Sequence, residues 1–391
     1  MDLTRDPVLI VGAGPIGLTL AWRLSQAGLP VRVFETEAQI ADQLRASTFH
    51  PPTLDLFDES GITAHLIAHG RITPTWQIRL HETGERAEFD LSVLKDDTAH
   101  PYRLQCRQAE LSRALLARLP AGVVRFSTPV LAVDQDEDGV SVRLSDGPVR
   151  GSVLIGCDGA RSLVRAAVGA AWEGGAYPEN TILVTTPFPF EDHLPGLSGV
   201  NYIWTEGGTV SLLRLPDIWR VSLHPEIGQT PEAALEDAAI RAAVARIVPA
   251  ARDMDIREKR IYKVHRRVAS TYRRGRMFLA GDAAHLNSPK GGMGMNGGIH
   301  DAFALADLLI RVAQGAPDLI LDDYERKRRA IARDDIVGQA DQNRARMNAT
   351  DPARRRAELA RLQAIAADPQ AARDFLLRSS MIEGLRRAEA L

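Results

Sequence analysis

The stretch VLIVGAGPIGLTLAWRLSQAGLPVRVFE, residues Val8–Glu35, decides the fold of this 391-residue chain. Four apolar residues open it, a composition typical of a buried parallel strand. A turn with the spacing Gly-x-Gly-x-x-Gly follows, and apolar residues then recur with the period of an amphipathic helix. Gly28 ends that helix, and a second apolar run, Val31–Phe34, leads to Glu35. The stretch therefore predicts a strand–turn–helix–strand unit with the glycines in its first turn.

The turn glycines and the acid after the second strand point to a dinucleotide ligand. Gly12 permits the tight turn, Gly14 lets the backbone approach a pyrophosphate at the positive end of the helix, and Gly17 lets helix and strand pack closely. Pro15 is tolerated because the first turn of a helix does not use its N–H. Glu35 follows Gly12 by 23 residues, where a carboxylate accepts the hydroxyls of an unphosphorylated ribose. These residues favour NAD or FAD over NADP, and the motif alone does not distinguish NAD from FAD.

Composition excludes several other classes of protein. Lysine and arginine total 48 against 50 aspartate and glutamate, so the formal charge of -2 gives no electrostatic reason to expect nucleic acid or an anionic membrane as a partner. Glycines and a proline interrupt the first apolar run, which argues against a signal peptide or a membrane span. Cys106 and Cys157 are the only cysteines, and no Cys/His cluster has metal-ligand spacing, so we expect no disulfide and no bound metal. We expect a cytoplasmic protein that is a monomer or a homodimer.

Two further glycine-rich segments follow buried strands. The apolar run Val153–Gly156 precedes Asp158-Gly159-x-x-Ser162-x-x-Arg165, and Ser162 is placed to cap a helix. The run Met277–Ala280 precedes a longer glycine-rich segment that leads into a helix. Because the turns after parallel strands meet at one edge of a sheet, we expect these three distant segments to converge on one elongated ligand.

Between these segments the hydrophobic period changes to that of antiparallel strands. Alternation predicts strands over residues 75–81, 86–91, 200–204, 209–213, 219–223 and 257–264, and a three-stranded meander from 123–126, 130–133 and 140–144. Helices are predicted directly after Glu35, over residues 105–119 and 231–247, and through most of the C-terminal tail. The antiparallel insertions should form a second layer, with a pocket between the layers.

The three glycine-rich motifs together resemble the group A FAD-dependent aromatic hydroxylases, the flavoprotein monooxygenases similar to para-hydroxybenzoate hydroxylase. The resemblance covers residues 7 to about 312 and rests on the order and spacing of the motifs, including Gly281-Asp282-Ala-Ala-His285 and Gly292-x-Gly294-x-Asn296. It implies an α/β fold with a Rossmann-like FAD-binding domain, an inserted antiparallel-sheet substrate domain and C-terminal helices. The implied boundaries are 1–71, 101–170 and 266–345 for the FAD-binding domain, 72–100 and 171–265 for the substrate domain, and 346–391 for the C-terminal helical segment.

The resemblance also implies which residues hold the cofactor. Non-covalently bound FAD is expected to contact Gly12, Gly14, Gly17, Glu35, Arg45, Arg107, Asp158, Gly159, Arg165, Gly281, Asp282, Pro289, Gly292, Gly294, Met295 and Asn296. Glu35 is expected at the adenosine ribose and Asp282 at the ribityl or pyrophosphate region. The helix N-terminus after Gly292 should stabilise the negative charge of reduced flavin. NADH or NADPH is the implied co-substrate and visits a surface groove, since the chain has one dinucleotide motif.

The implied reaction is hydroxylation of an electron-rich aromatic or N-heteroaromatic small molecule by O2, through a flavin C4a-hydroperoxide formed after NAD(P)H reduces FAD. Pro289 is expected beside the reactive carbon of the flavin. His50, Tyr202 and His224 are candidates for removing a substrate proton. Two alternatives stay open: a flavin epoxidase or dehydrogenase with a related fold, and a non-catalytic FAD-binding protein.

Three further residues have two interpretations each. Arg214 and Arg220 either pair with a substrate carboxylate or lie on a solvated strand face, and the second interpretation is favoured. His285 is expected to pack or to bond the backbone of its own turn rather than to take part in catalysis.

Overall fold

The computed structural model describes residues 2–226, 228–348 and 351–391. Within these ranges the strands form four sheets. The strands of the first sheet are β1 (Val8–Val11), β2 (Val31–Phe34), β8 (Val124–Arg125), β12 (Val153–Gly156), β18 (Arg273–Arg274) and β19 (Met277–Leu279). They lie in the order β18-β19-β12-β1-β2-β8, and every pairing is parallel except that of β18 with β19. The carboxyl ends of β1, β12 and β19 therefore meet at one edge, as the three glycine-rich motifs predict.

The second sheet is assembled from separate stretches of chain. Its strands are β5 (Thr75–Leu80), β6 (Arg86–Asp90), β13 (Trp172–Thr186), β14 (Val200–Thr205), β15 (Gly208–Arg214), β16 (Trp219–Leu223), β17 (Glu258–Ala269) and β20 (His285–Leu286). The order is β20-β17-β13-β16-β15-β14-β5-β6, antiparallel except for the pair β14 and β5. This sheet confirms the predicted antiparallel layer, and β20 joins it directly to the third glycine-rich motif.

Two small sheets complete the strand pairing. One contains β3 (Thr48–Phe49), β4 (Arg71–Thr73) and the central β7 (Arg103–Gln105); the other contains β9 (Ala132–Gln135), β10 (Val140–Leu144) and β11 (Gly147–Gly151). The second of these sheets is a meander, but one of the three strands predicted for it was wrong. Residues 123–126 supply β8 of the first sheet, and β11 was not predicted because Gly147, Pro148 and Gly151 are typical of turns.

The helices confirm the helical periods of the sequence in most places. They are α1 (Pro15–Gln26), α2 (Pro51–Phe57), α3 (Ile62–His69), α4 (Gln108–Leu116), α5 (Leu163–Val168), α6 (Pro231–Ala234), α7 (Asp237–Ala245), α8 (Met293–Ala313), α9 (Asp322–Ile331), α10 (Gly338–Asn348), α11 (Pro352–Ala367), α12 (Pro369–Ser379) and α13 (Ile382–Ala390). No helix among the described residues is long and apolar enough to cross a lipid bilayer.

Three helix predictions were wrong. No helix follows Glu35, because the carbonyls of Glu35 and Glu37 accept the backbone N–H groups of Thr128 and Ser127 at 2.7 and 2.9 Å. The helix predicted over 105–119 begins only at Gln108, since residues 103–105 form β7 between two other strands. The helix predicted over 231–247 is divided into α6 and α7, where residue 236 adopts an extended conformation.

Because side chains alternate along each strand, the two faces of the second sheet differ. One face is apolar; the other is polar over β13, β15 and β16 and apolar where β5, β6 and β14 meet the C-terminal helices. Ile203, Leu212 and Val221 pack with α7 in a core of their own. Tyr202 and Ser211 pair across β14 and β15 and belong to the opposite face. That polar face lies toward the third glycine-rich motif, and the pocket predicted between the two layers forms there.

The C-terminal helices α11 and α12 cover one end of the second sheet. The rings of Phe89 and Trp76 lie 4.7 Å apart, and so do the rings of Phe89 and Phe375 from α12. Arg373 adds two hydrogen bonds to the buried carboxylate of Asp97, at 2.7 and 2.9 Å. The tail is thus part of the structural core around the sheet.

Candidate active site

The turn between β1 and α1 shows why each of its glycines is required. A Cβ on Gly12, which has φ +101°, would lie 2.4 Å from the carbonyl oxygen of Cys157, and a Cβ on Gly17 would lie 2.0 Å from the carbonyl oxygen of Gly12. Both glycines are therefore demanded by the packing of the protein itself. A Cβ on Gly14 would have no atom within 4 Å. The open space at Gly14, at the N-terminus of α1, fits the close approach of a pyrophosphate.

Glu35 lies beside this turn at the end of β2. Its carboxylate accepts the backbone N–H of Ala13 at 2.6 Å and that of Glu37 at 2.9 Å. An acid held next to the glycine turn fits the ribose of an adenine dinucleotide.

The second glycine-rich motif is tied to the third by Arg165. Asp158 accepts two backbone N–H groups from the first turn of α5, at 2.7 and 3.1 Å, and Gly159 follows with φ +76°. The buried guanidinium of Arg165 donates to the carbonyls of Ala160 and Ala283, at 2.8 and 3.1 Å. The side-chain donors of Arg165 therefore hold the two motifs together.

A buried charge network fixes the third motif against α8. Asp301 is fully buried and accepts a hydrogen bond from Arg328 at 2.7 Å, from His285 at 2.8 Å and from the backbone N–H of Gly281 at 3.2 Å. Burial alone would raise the pKa of Asp301, but the charges of Arg328 and His285 outweigh it and lower the pKa. His285 thus bonds the carboxylate of Asp301, whereas the sequence predicted packing or a bond to the backbone of its own turn.

The start of α8 is joined to β3 by Asn296 and His50. Asn296 accepts the backbone N–H of His50 at 2.9 Å and donates to the carbonyls of Thr48 and Gly292, at 2.9 and 2.7 Å. The His50 ring donates through Nε2 to the carbonyl of Gly291 at 2.8 Å. Burial, with a smaller effect of the Arg103 charge, lowers the pKa of His50 to about 3. His50 is thus a neutral, fully buried group whose ring holds the glycine-rich loop.

A cavity of about 410 Å³ lies between the polar face of the second sheet and this loop. The structure brings eight of the predicted residues into its wall: Arg45, Tyr202, His224, Asp282, Pro289, Gly292, Gly294 and Met295. His50, Arg165 and Asn296 lie behind the wall, where their side-chain hydrogen bonds are made within the protein. Arg107 precedes α4, and its guanidinium lies 3.8 Å from the Glu258 carboxylate.

The cavity wall contains four arginines: Arg45, Arg103, Arg220 and Arg260. The last three go beyond the favoured sequence prediction, which gave Arg220 a substrate carboxylate only as the less favoured interpretation. Arg103 and Arg220 are only 3% and 9% exposed, and Arg260 is half-buried. Among the described residues, none of the three Nε atoms has a hydrogen-bond acceptor, and none of the three side chains forms an ion pair with a carboxylate. The interpretation of Arg220 as solvated was therefore wrong. No sequence signal could have selected Arg103 or Arg260, because β7 is three residues long and β17 carries several basic residues.

The remaining contacts of these arginines place them around the pocket. Burial lowers the pKa of Arg103, and the neighbouring Tyr202 hydroxyl acts in the opposite direction. Arg220 donates to the Ser47 hydroxyl at 3.3 Å, and Arg260 donates to a carbonyl in the same 44–48 loop. Arg214, by contrast, is paired with Glu191 at 3.5 Å. The cavity wall thus combines the phenolic hydroxyl of Tyr202 with four arginines, of which two are buried, one is half-buried and one, Arg45, is exposed.

Lys290 lies at another side of the cavity, directly after Pro289. Burial lowers its pKa to about 8, although the negative charge of Glu179 acts in the opposite direction. His224 is nearby in the same wall and bonds the carbonyl of Asn180 at 3.0 Å. The charge of this part of the cavity therefore changes within the ordinary pH range of an enzyme assay.

A parallel sheet with a dinucleotide turn, next to a cavity that an antiparallel layer closes, is typical of a dinucleotide-dependent oxidoreductase. A family model described as "FAD binding domain" matches residues 5–337 of the chain. The chain belongs to this family of FAD-binding proteins, which confirms the predicted family, the α/β fold class and FAD as the cofactor.

Named relatives narrow the class to aromatic monooxygenases. The para-nitrophenol 4-monooxygenase of Pseudomonas sp. (strain WBC-3) is 33% identical over an alignment 404 residues long, gaps included. The alignment covers 99% of this chain and 98% of the relative. The 6-hydroxy-3-succinoylpyridine 3-monooxygenase HspB of Pseudomonas putida (strain DSM 28022 / S16) is 34% identical over 338 residues, covering 83% of this chain and 84% of the relative. The crystal structure of p-nitrophenol 4-monooxygenase PnpA from Pseudomonas putida DLL-E4 superposes with a TM-score of 0.90 at 30% identity, covering 98% of this chain and 99% of that one. The chain is an FAD-dependent aromatic monooxygenase, with NAD(P)H and O2 as co-substrates.

Proposed function

We propose that this monooxygenase hydroxylates a phenol that it binds as the phenolate anion. The observation that carries the proposal is the set of Arg103, Arg220 and Arg260 in the cavity wall, whose Nε atoms have no acceptor among the described residues. A buried cation without a counter-charge is costly, and an anionic ligand in the cavity removes that cost. The relative named for para-nitrophenol acts on a phenol whose nitro group makes the hydroxyl acidic, which supports the same substrate class here.

The phenolate also suits the chemistry of the reaction. When bound, FAD accepts a hydride from NAD(P)H and activates O2 for transfer of one oxygen atom. Loss of the phenolic proton makes the ring more electron-rich and thus a better nucleophile. Arg103 stabilises the anion, and Tyr202, which lies in the same cavity wall, is placed to relay the phenolic proton.

Residues that face open space or the cavity are assigned to hold FAD. Gly14 receives the pyrophosphate at the N-terminus of α1, Gly12 forms the tight turn that presents it, and Glu35 receives the adenosine ribose. The residues assigned to the middle of the cofactor and the flavin ring share a place in the cavity wall or next to it: Arg45, Asp282, Pro289, Gly292, Gly294 and Met295. Arg107, whose guanidinium lies 3.8 Å from the Glu258 carboxylate, is also assigned a contact with FAD.

Other predicted residues are assigned positioning roles. His50 and Asn296 use their polar side-chain groups to hold the loop before α8. Arg165, with Asp158 and Gly159, holds the second motif against the third. This assignment is supported by the hydrogen bonds of these five residues, because most of their polar side-chain atoms already bond other groups of the protein. The cytoplasmic location, the choice between monomer and homodimer, and the domain boundaries stay predictions.

The test is a substrate panel with matched arginine variants. NAD(P)H oxidation, hydroxylated product and H2O2 are measured separately with para-nitrophenol, other phenols and their methyl ethers. Phenols should stimulate oxidation with matching product, and the ethers should not. Arg103→Gln should raise the dissociation constant of the phenol by about 10- to 100-fold, the loss of one charge-assisted hydrogen bond, while FAD affinity stays unchanged.

The controls separate charge from general damage. Arg103→Lys keeps the charge and should lose less affinity than Arg103→Gln. Arg143→Gln, at an exposed position on β10, should behave as the wild type. Equal stimulation by phenols and their methyl ethers, or an unchanged dissociation constant in Arg103→Gln, would show that the cavity does not select an anion.

A further inference from the structure

We propose that His65, His69 and Glu110 form a binding site for a divalent transition-metal ion, with Zn²⁺ as the ion that suits these ligands. His65 and His69 lie one turn apart on α3, and Glu110 lies in the first turn of α4. One ligand atom from each of the three residues lies within 4.8 Å of the others. None of the three lines the active-site cavity, so this site is separate from the flavin chemistry.

The two histidines are oriented as metal ligands usually are. His69 donates its Nδ1–H to the backbone carbonyl of His65 at 2.8 Å, which leaves the Nε2 lone pair of His69 available. Metal-binding histidines are typically oriented by such a bond from the other ring nitrogen. The Nε2 atom of His65 is buried, has no hydrogen-bond partner among the described residues, and lies 3.9 Å from Glu110 Oε2. The two imidazole rings lie close together, with centroids 4.3 Å apart.

The third ligand is oriented by a neighbouring arginine. Arg113 donates to Glu110 Oε1 at 2.6 Å, and Oε2 faces the histidines. One carboxylate oxygen is therefore fixed by the protein while the other is placed to bind an ion. This division of roles is typical of carboxylate ligands in metal sites.

The distances require only a small contraction. A tetrahedral Zn²⁺ with bonds of about 2.0–2.1 Å separates its ligand atoms by roughly 3.4 Å. The 3.9 Å gap between His65 and Glu110 must therefore close by about 0.5 Å, and no gap in the cluster exceeds 4.8 Å. His65 and Glu110 are half-buried and His69 is exposed, so side-chain rotation is sufficient. Two imidazoles and one carboxylate leave a fourth position for water.

The site was not found in the sequence because only two of its ligands are close in the chain. The expectation of no metal rested on the absence of a Cys/His cluster, and a lone His-x-x-x-His pair is not such a cluster. The packing of α3 against α4 adds Glu110. A bound ion would join the two helices, and α4 directly follows Arg107 and strand β7. We therefore expect the ion to stabilise this segment rather than to enter the reaction.

The experiment is a Zn²⁺ titration of the FAD-loaded enzyme by calorimetry, with metal analysis after equilibrium dialysis. The wild type should bind one ion per chain at this site, and Zn²⁺ should raise the thermal unfolding midpoint. The double variant His65→Ala/His69→Ala should bind at least about 100-fold more weakly, and Glu110→Gln at least about tenfold more weakly. His81→Ala, which removes a histidine outside the cluster, should keep wild-type affinity.

A second readout reports the coordination directly. Co²⁺ in place of Zn²⁺ should give visible absorption at wavelengths beyond the flavin bands in the wild type and in His81→Ala, and this absorption should be lost in the double variant. The FAD content and the metal-free unfolding midpoint establish that each variant is folded. The proposal is overturned if the wild type binds no Zn²⁺ at about 1 mM, or if the double variant and Glu110→Gln bind it as tightly as the wild type does.

Discussion

Replacing Gly14 by alanine separates the stability of the fold from the binding of the cofactor. Gly14 precedes α1 with φ −68° and ψ 177°, a conformation that alanine adopts without strain. A Cβ at this position has no atom of the protein within 4 Å. The apoprotein should therefore be unchanged or more stable, by about 0.4–1 kcal/mol, because alanine restricts the unfolded chain more than glycine does.

The cofactor should respond in the opposite direction. The added methyl group occupies the space through which the pyrophosphate reaches the backbone N–H groups of the turn. Losing one charge-assisted hydrogen bond costs about 1.5–3 kcal/mol, so the dissociation constant of FAD should rise by at least about tenfold. The assay is fluorescence titration of the apoprotein with FAD, together with the unfolding midpoint of the apoprotein.

Two other glycines serve as controls. A Cβ on Gly17 would lie 2.0 Å from a backbone oxygen, so Gly17→Ala should destabilise the apoprotein itself. Gly175 on β13 also has open space around its Cβ position, so Gly175→Ala should change neither stability nor FAD affinity greatly. An apoprotein of Gly14→Ala that folds normally and binds FAD within about twofold of the wild type would refute the placement of the pyrophosphate at α1.

Three further predictions follow from buried ionisable groups. Asp301→Asn should lower the free energy of unfolding in urea by about 3–5 kcal/mol because Arg328 is left buried without its counter-charge, and a loss below about 1 kcal/mol would contradict this. In the wild type the Asp301 carboxylate has a pKa below its usual 3.8, so its contribution is fully present above pH 3.8 and is lost as the pH falls through the lowered pKa. Lys290 has a pKa of about 8, so the affinity of the enzyme for a phenolate should fall as the pH rises through 8 and the ammonium loses its charge. Lys290→Met should remove this pH dependence of the dissociation constant. If the variant retains the dependence, another group is responsible for it. His50 has a pKa of about 3 and stays neutral above pH 5, so the pH profile of kcat should show no inflection from His50 between pH 5 and 8. An inflection in this range that disappears in His50→Gln would refute the neutral state of His50.

The cofactor half of the site could be predicted because its requirements are local. Gly12 and Gly17 are needed at fixed spacing for a turn and for close packing, and these demands appear directly as glycines in the chain. The parallel sheet then places the ends of β1, β12 and β19 at one edge, so three motifs far apart in sequence identify one ligand. The family resemblance rests on the same local signals.

The substrate half of the site depends on which strands pair, and the tertiary structure alone decided it. Arg103, Arg220 and Arg260 come from β7, β16 and β17, and only the packing of two sheets turns them into one cavity wall. In the sequence Arg103 and Arg260 look like two of many surface arginines, and for Arg220 a solvated position was favoured, because a single strand shows which residues alternate but not which face is covered. The ion pair of Asp301 with Arg328 could not be predicted from the sequence either, because the two residues lie on different helices, α8 and α9. Local spacing determined where the backbone must bend and receive a dinucleotide, whereas burial and charge pairing, which depend on distant segments, determined what the pocket selects.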